Sequence, residues 1–213
     1  MVRPRLGHPR TALIVAPHPD DELIGAAGLI AYLIRRGTAV HVAVATDGAA
    51  SHPNSLKWPR RRLVAARQME TRHALRRLGV MPGSIHFLGL PDGATTVDTC
   101  RRALARQIRR LPRLDLIVGP TRDDAHPDHR AVAIALETTG KHLRLLGYRV
   151  WPPQPLRHGR LSALPVSSAA KRSLIRFHRT QLGHIRDDPD GFEIRPRELE
   201  AFSRPLERYV SLR

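Results

Sequence analysis

Apolar runs and helix-period patterns alternate through the first two thirds of the chain. Thr11–Ala16 is a continuous apolar run, the form of a strand buried on both faces. Over residues 22–36, Leu23, Ala26, Ala27, Ile30, Leu33 and Ile34 fall on one helical face, and Gly37 stops the helix. Residues 40–45 read as a second strand, and 46–59 as a loop rich in Gly, Ser, Pro and Asn. A helix over 60–78 closes at Gly79. A short strand over 85–88 leads into a Gly-Leu-Pro-Asp-Gly turn. Then come a helix over 98–111 with Asp98 as N-cap, a strand over 114–118, a helix over 128–143 and a strand over 145–151.

This alternation predicts βαβ units with right-handed crossovers, hence an α/β fold with a mostly parallel sheet flanked by helices. The Pro-rich stretch 151–165 breaks the rhythm. Residues 167–182 and 196–209 then predict two helices, separated by the acidic turn Asp187-Asp188-Pro189-Asp190-Gly191. No repeat and no linker is visible, so residues 1–213 read as a single domain.

Composition narrows the picture. Hydrophobic residues make up 41% and aromatics only 4%, so the core must be aliphatic. One cysteine, Cys100, excludes an internal disulfide and a thiolate metal cluster. The first ten residues are polar and basic, and the apolar run that follows is too short for a signal segment or a membrane span. The expectation is a cytoplasmic protein with no transmembrane segment.

The formal charge is +17, and lysine occurs only at 57, 141 and 171, so the positive charge is almost all arginine. Such a balance suits nucleic acid, an anionic membrane surface or an acidic substrate. The arginines, however, are spread over several helices, as in Arg35-Arg36, Arg76-Arg77 and Arg109-Arg110. No stretch interleaves them with aromatics for base stacking. They read as solvated helix faces, not as a specific nucleic-acid surface.

Chemistry concentrates in two strings, His18-Pro19-Asp20-Asp21-Glu22 and His126-Pro127-Asp128-His129. Each follows an apolar strand and precedes a helix, at the carboxyl ends of strands where open α/β sheets build their sites. Alone, a His-Pro-Asp turn serves equally well as a helix start, with proline at the first position and aspartate against the dipole. Two such strings after two strands of one pattern make that a coincidence. Mixed imidazole and carboxylate ligation with no thiolate suits a catalytic divalent metal, with three protein ligands and a fourth position open. The spare carboxylate Asp20 would take a proton from a water made acidic by the metal, and the spare histidine would protonate a leaving amine.

The strings also carry a resemblance. Ala16-Pro17-His18-Pro19-Asp20-Asp21-Glu22 resembles the signature of the PIG-L/LmbE-like deacetylases, zinc enzymes that remove acetyl groups from N-acetylglucosamine conjugates. Further matches are Thr46-Asp47-Gly48, Arg67-Gln68-Met69-Glu70 with Ala74 and Leu78-Gly79, Leu90-Pro91-Asp92-Gly93, and His126-Pro127-Asp128-His129. Lys171 and Gln181 are a fainter echo. The resemblance spans roughly residues 11–182. It implies a Rossmann-like α/β sandwich and a zinc site of His18, Asp21 and His129, with iron(II) able to use the same ligands. It implies Asp20 as general base, His126 as the second catalytic group, Asp128 orienting His126, and Arg67 and Asp92 contacting the sugar or its aglycone.

One departure stands out. Some members place an oxyanion-stabilising tyrosine where this chain has Asp124, and Arg122 or the Pro-rich segment are the candidates to replace it. Trp58 reads equally as a sugar platform or as a pin for its loop, and Asp47 as a partner for a ligating histidine. Glu22 reads as dipole stabilisation, His52 as turn chemistry, and His178 as a surface or satisfied core residue. Cys100 has no assigned role.

The function expected is removal of an N-acetyl group from an amino-sugar conjugate. An amidase acting on a thiol-sugar conjugate would use the same site. A basic nucleic-acid binder, with both strings as mere caps, is the alternative from another class. The dispersed arginines separate the last: filter-binding titrations should find only weak, salt-sensitive and sequence-independent binding to DNA or RNA. Tight, sequence-discriminating binding at physiological salt would favour the binder.

Overall fold

The computed structural model describes residues 7–140, 142–156 and 160–212. In chain order the elements are β1 (Thr11–Ala16), α1 (Asp21–Arg35), β2 (Ala39–Thr46), α2 (Arg60–Arg77), β3 (Ile85–Leu90) and α3 (Val97–Arg109). They continue as β4 (Leu114–Pro120), α4 (Pro127–Thr139), β5 (Arg144–Tyr148), β6 (Leu161–Pro165), α5 (Ser168–Ile175), α6 (Pro196–Phe202) and β7 (Leu206–Ser211). The strands form one sheet in the order β3-β2-β1-β4-β5-β7-β6. The first five run parallel, and β7 runs antiparallel to both its neighbours.

The order explains where a site can form. From β1 the chain winds outward through β2 and β3, then returns to lay β4 on the other side of β1. Helices after β1 and β4 therefore leave on opposite faces, and a crevice opens between the carboxyl ends of these two strands. Parallel register pairs Leu13 with Ile117 and Ile14 with Val118, which brings the two chemical strings to the same edge.

All six residues of β1 are buried, because both faces are covered. Ala12 and Ile14 join a core with α1, α2 and the late helices, whereas Leu13 and Val15 join one with α3 and α4. Cys100 lies wholly inside the second core, where burial pushes its thiol up to about 12. Among the described residues, no helix is long and apolar enough to cross a membrane.

Helix α1 is broken at Ala26, which has φ −146° and ψ 16°. A buried network fills the break. Lys171 Nζ of α5 donates to the Ile24 carbonyl at 2.7 Å and to Glu207 Oε1 of β7 at 2.8 Å. The same carboxylate accepts the N–H groups of Gly28 and Leu29, and the Tyr209 hydroxyl lies 2.6 Å from its Oε2. Glu207 thus caps the second half of the helix while Lys171 caps the first. At Gly25 a Cβ would run into the Tyr148 ring, so glycine lets β5 approach the break.

The late chain departs from expectation. The helix expected over 167–182 ends at Ile175, followed by a 3-10 turn at Arg179–Gln181. The helix expected over 196–209 stops at Phe202, and its remainder is strand β7. The strand expected over 145–151 ends at Tyr148, and a further strand, β6, forms inside the Pro-rich stretch, at the sheet edge where its terminal Pro165 is tolerated. Residues 157–159 of that stretch, and 141 of the helix expected over 128–143, lie outside the described residues. Thr96, not Asp98, caps α3, its hydroxyl accepting from the Thr99 N–H.

Lys171→Met should cost about 3–5 kcal/mol of unfolding free energy in urea titrations, because it leaves Glu207 a buried carboxylate without its cation. A cost below about 1 kcal/mol would mean that the donors remaining around Glu207 suffice.

Candidate active site

The turn after β1 is built around a strained residue. Asp20 has φ 131° and ψ −30°, outside the regions a side chain normally allows. Its backbone N–H donates to Glu22 Oε2 at 3.0 Å, and its carbonyl accepts from the N–H groups of Leu23 and Ile24, starting α1. Arg67 of α2, also buried, donates from Nη2 to the Pro19 carbonyl at 2.8 Å and from Nη1 to the Gly48 carbonyl at 2.9 Å. Gly48 has φ 69°, and a Cβ there would strike the Arg67 guanidinium, so this position demands glycine.

Held this way, three ligand atoms form a triangle. His18 Nδ1 is 3.2 Å from Asp21 Oδ2 and 3.1 Å from His129 Nε2, and Asp21 Oδ2 is 3.1 Å from His129 Nε2. Bonds of about 2.0–2.2 Å to a tetrahedral metal place ligand atoms about 3.3–3.6 Å apart, so this face is close to ready. Two imidazole nitrogens at 3.1 Å cannot both present lone pairs to each other; a cation between them resolves the conflict. His18, His126 and His129 also bring nitrogens within 4.8 Å, a looser group than the triangle with Asp21.

Carboxylates hold the far sides of these rings. His18 Nε2 lies 3.0 Å from Asp92 Oδ1 and 3.2 Å from Asp128 Oδ2. Asp92 is fixed by the Ala50 N–H and Asp128 by the Gly93 N–H. His129 Nδ1 lies 3.1 Å from Asp124 Oδ2, short of full hydrogen-bond alignment, and Asp124 also accepts the backbone N–H groups of His126, Val150 and Trp151. Carboxylate–imidazole pairs of this kind orient metal-ligating histidines.

The electrostatics demand positive charge at the centre. Burial opposes charge on His129, yet Asp21 and Asp124 hold it at about 9. His18 is likewise raised well above its ordinary range, its burial outweighed by Asp128, Asp21 and Asp92. Asp21 is driven far down by His129 and His18 despite its burial. Burial pushes Asp20 up to about 7, restrained by Arg67. A bound divalent ion would supply the charge that protons supply here.

The expected site residues thus gather in one place, with three changes of role. The Asp128 carboxylate faces His18 and not His126; only its backbone N–H reaches His126 Nδ1, at 3.2 Å. Arg67 spends both Nη atoms on the loops, so it braces the site as well as lining it. Asp124 stands where the tyrosine was expected and supports His129, while Arg122 pairs with Glu137 at the surface. Trp58 packs against His184 and under Arg62, which pins its loop. Asp47 pairs with Arg60 and caps the Ala49 N–H.

Sequence reasoning missed Glu22 and His178. Both are wholly buried, with Glu22 Oε1 3.6 Å from His178 Nε2 and neither ring nitrogen of His178 hydrogen-bonded. Burial pushes Glu22 up to about 8 and His178 down to about 3. The only available signal was the position of His178 between Lys171 and Gln181.

The turns after β1 and β4 thus bring an N/O donor set that fits a divalent ion to the switch point of an α/β sheet. Residues 13–139 match the model of the PIG-L family, described as GlcNAc-PI de-N-acetylase, and the chain belongs to that family. It is a hydrolase of the deacetylase type, in a family whose members depend on a metal. No curated protein matches the chain.

Solved structures share the fold. The conserved protein TT1542 from Thermus thermophilus is 24% identical with a TM-score of 0.70, covering 95% of this chain and 94% of its own. N,N'-diacetylchitobiose deacetylase from Pyrococcus horikoshii is 23% identical with a TM-score of 0.68, covering 83% of this chain and 74% of its own. GalB, a 4-carboxy-2-hydroxymuconate hydratase from Pseudomonas putida KT2440, is 21% identical with a TM-score of 0.66, covering 91% of this chain and 83% of its own. A hydratase among them shows that this fold alone does not set the reaction.

His178 yields a pH test. Its folded-state value, about 3, lies below the ordinary 6.5, so the unfolded chain binds a proton that the folded chain refuses. That stability is present above pH 6.5 and is lost as pH falls towards 3, at up to about 1.4 kcal/mol per unit. Urea titrations across this acid range should show a shallower loss in His178→Phe than in the native chain. Equal slopes would mean that His178 takes up its proton while folded.

Proposed function

We propose that the protein is a zinc-dependent N-deacetylase acting on an N-acetylated amino-sugar conjugate, such as an N-acetylglucosamine derivative. The triangle of His18 Nδ1, Asp21 Oδ2 and His129 Nε2 carries this reading, because its spacing and donor set fit a tetrahedral divalent ion. Iron(II) accepts the same atoms. The neighbouring diacetylchitobiose deacetylase supports the substrate class.

Held by His18, Asp21 and His129, a divalent ion would polarise an amide carbonyl and make water more acidic. The chain supplies the rest. Asp20, close to neutrality in its affinity for protons, accepts the proton of the attacking water. Its strained backbone, tied to Glu22 and braced through Pro19 by Arg67, fixes where that carboxylate stands. His126 lines the same pocket, and its Nδ1 accepts the Asp128 N–H, so the ring carries its proton on Nε2. From Nε2 it donates a hydrogen bond to the developing oxyanion, in the place of the missing tyrosine, and the proton that Asp20 took from the water passes to the departing amine. Asp92, at the pocket wall, would receive sugar hydroxyls, and Arg67 holds the two loops that shape the wall.

Each of His18→Ala, Asp21→Ala and His129→Ala should lose bound metal. Asp20→Asn keeps the turn and the metal but cannot accept a proton, so kcat should fall about 10²–10⁴-fold. Metal content by emission spectrometry, together with amine release from N-acetylglucosaminides, checks both. Near-normal turnover in Asp20→Asn removes Asp20 from proton transfer, and loss of its metal makes it a ligand. Metal-free native protein would return the two strings to the role of helix caps.

A further inference from the structure

The pocket over the triangle has a volume of about 500 Å³, within the roughly 300–1,000 Å³ that ligands of drug size fill. Part of its wall is the charged group already described. One further side is apolar and comes from outside the two chemical strings: Ile24 of α1, Trp151 after β5, and Phe192 and Ile194 before α6, with the polar Ser51 and Gln181 elsewhere on the wall. Ile24 and Ile194 are buried core residues, and Trp151 packs against the same core. The Trp151 ring meets Phe192 edge-on at 6.0 Å and Phe202 edge-on at 5.2 Å, which fixes its plane.

Phe192 stands 40% exposed at this wall. A single exposed phenylalanine needs no explanation, but one joined to Trp151, Ile194 and Ile24 inside the reaction pocket does. The acidic residue nearby, Glu198, accepts the Arg195 N–H at 2.8 Å through Oε2, which holds that oxygen at the start of α6. These four side chains offer a ligand apolar surface with few hydrogen-bonding groups, so an alkyl or aryl group gains most by lying against them.

We infer that the substrate carries an aryl or alkyl group beside its N-acylated sugar, and that Trp151, Phe192, Ile194 and Ile24 form the subsite for it. The inference rests on the deacetylase reading of this pocket. The apolar group has two possible sources, the aglycone or a longer acyl chain, and both offer the same surface.

Two substrate series separate the sources. One holds the acyl group as acetyl and varies a β-glucosaminide aglycone from methyl to butyl to phenyl; the other holds the methyl glycoside and lengthens the acyl chain to octanoyl. In one series kcat/KM for amine release should rise about tenfold or more over the N-acetyl methyl glycoside. Phe192→Ala, whose truncation leaves the buried core in place, should bring that ratio close to one, as should Trp151→Ala. A flat response in both series, or a disaccharide preferred over every apolar substituent, overturns the subsite.

A binding measurement stands apart from turnover. In Trp58→Phe, Trp151 is the remaining tryptophan, and its fluorescence should respond to butyl β-glucoside well below the concentration at which it responds to methyl β-glucoside. If no N-acylglucosaminide is hydrolysed yet this preference appears, the deacetylase reading fails and the apolar subsite stands. If both glucosides act alike, the subsite fails whatever the enzyme hydrolyses.

Discussion

Burying carboxylates together is costly, and this molecule does so at the carboxyl ends of β1 and β4. Asp20, Asp21, Glu22, Asp124 and Asp128 are all buried there, with Asp92 beside them. Such a cluster persists only if cations and N–H donors answer it. The imidazoles of His18 and His129, the guanidinium of Arg67 and the backbone N–H groups of Ala50, Gly93, Val150 and Trp151 do so. Much of the surrounding architecture is the arrangement of these donors around one centre.

The same logic recurs one layer out. A continuous α1 would have to pass the site without the freedom to tilt its first turn. The break at Ala26 gives that freedom but exposes carbonyls and N–H groups inside the core. Lys171 and Glu207 satisfy them from opposite sides. The C-terminal strand is therefore tied to the position of Asp20 and Asp21, although it contributes no atom to the pocket.

The charge of +17 has little part in this chemistry. Arg67 is the arginine drawn into the site, and it is buried; Arg60, Arg101, Arg102 and Arg122 stand half exposed or more, in pairs with acidic neighbours. Ion pairs at such exposure contribute little stability. They keep the helix surfaces solvated while the aliphatic cores do the holding.

Much of the first 140 residues was legible in the sequence because β1 and β4 are apolar runs and α1 carries an apolar stripe. Helix α2, which buries Arg67 and Thr71 beside Leu63 and Leu75, was marked instead by its length and its closing Gly79. His18, Asp20, Asp21, His126 and His129 could be named from their strings, since the turn after a parallel strand places its residues at the sheet's functional edge. Tertiary structure alone decided the partners. Asp128 turns to His18 and not His126, and Asp124 reaches His129, because β4, β5 and the turn after β1 converge at angles no spacing encodes. It also decided β7. Along Leu206–Ser211 the buried positions are Glu207 and Tyr209, so the alternation that marks a strand is inverted by an acidic residue. That residue is tolerable inside only because Lys171 and the broken helix, 36 and 178 residues away in sequence, are waiting for it.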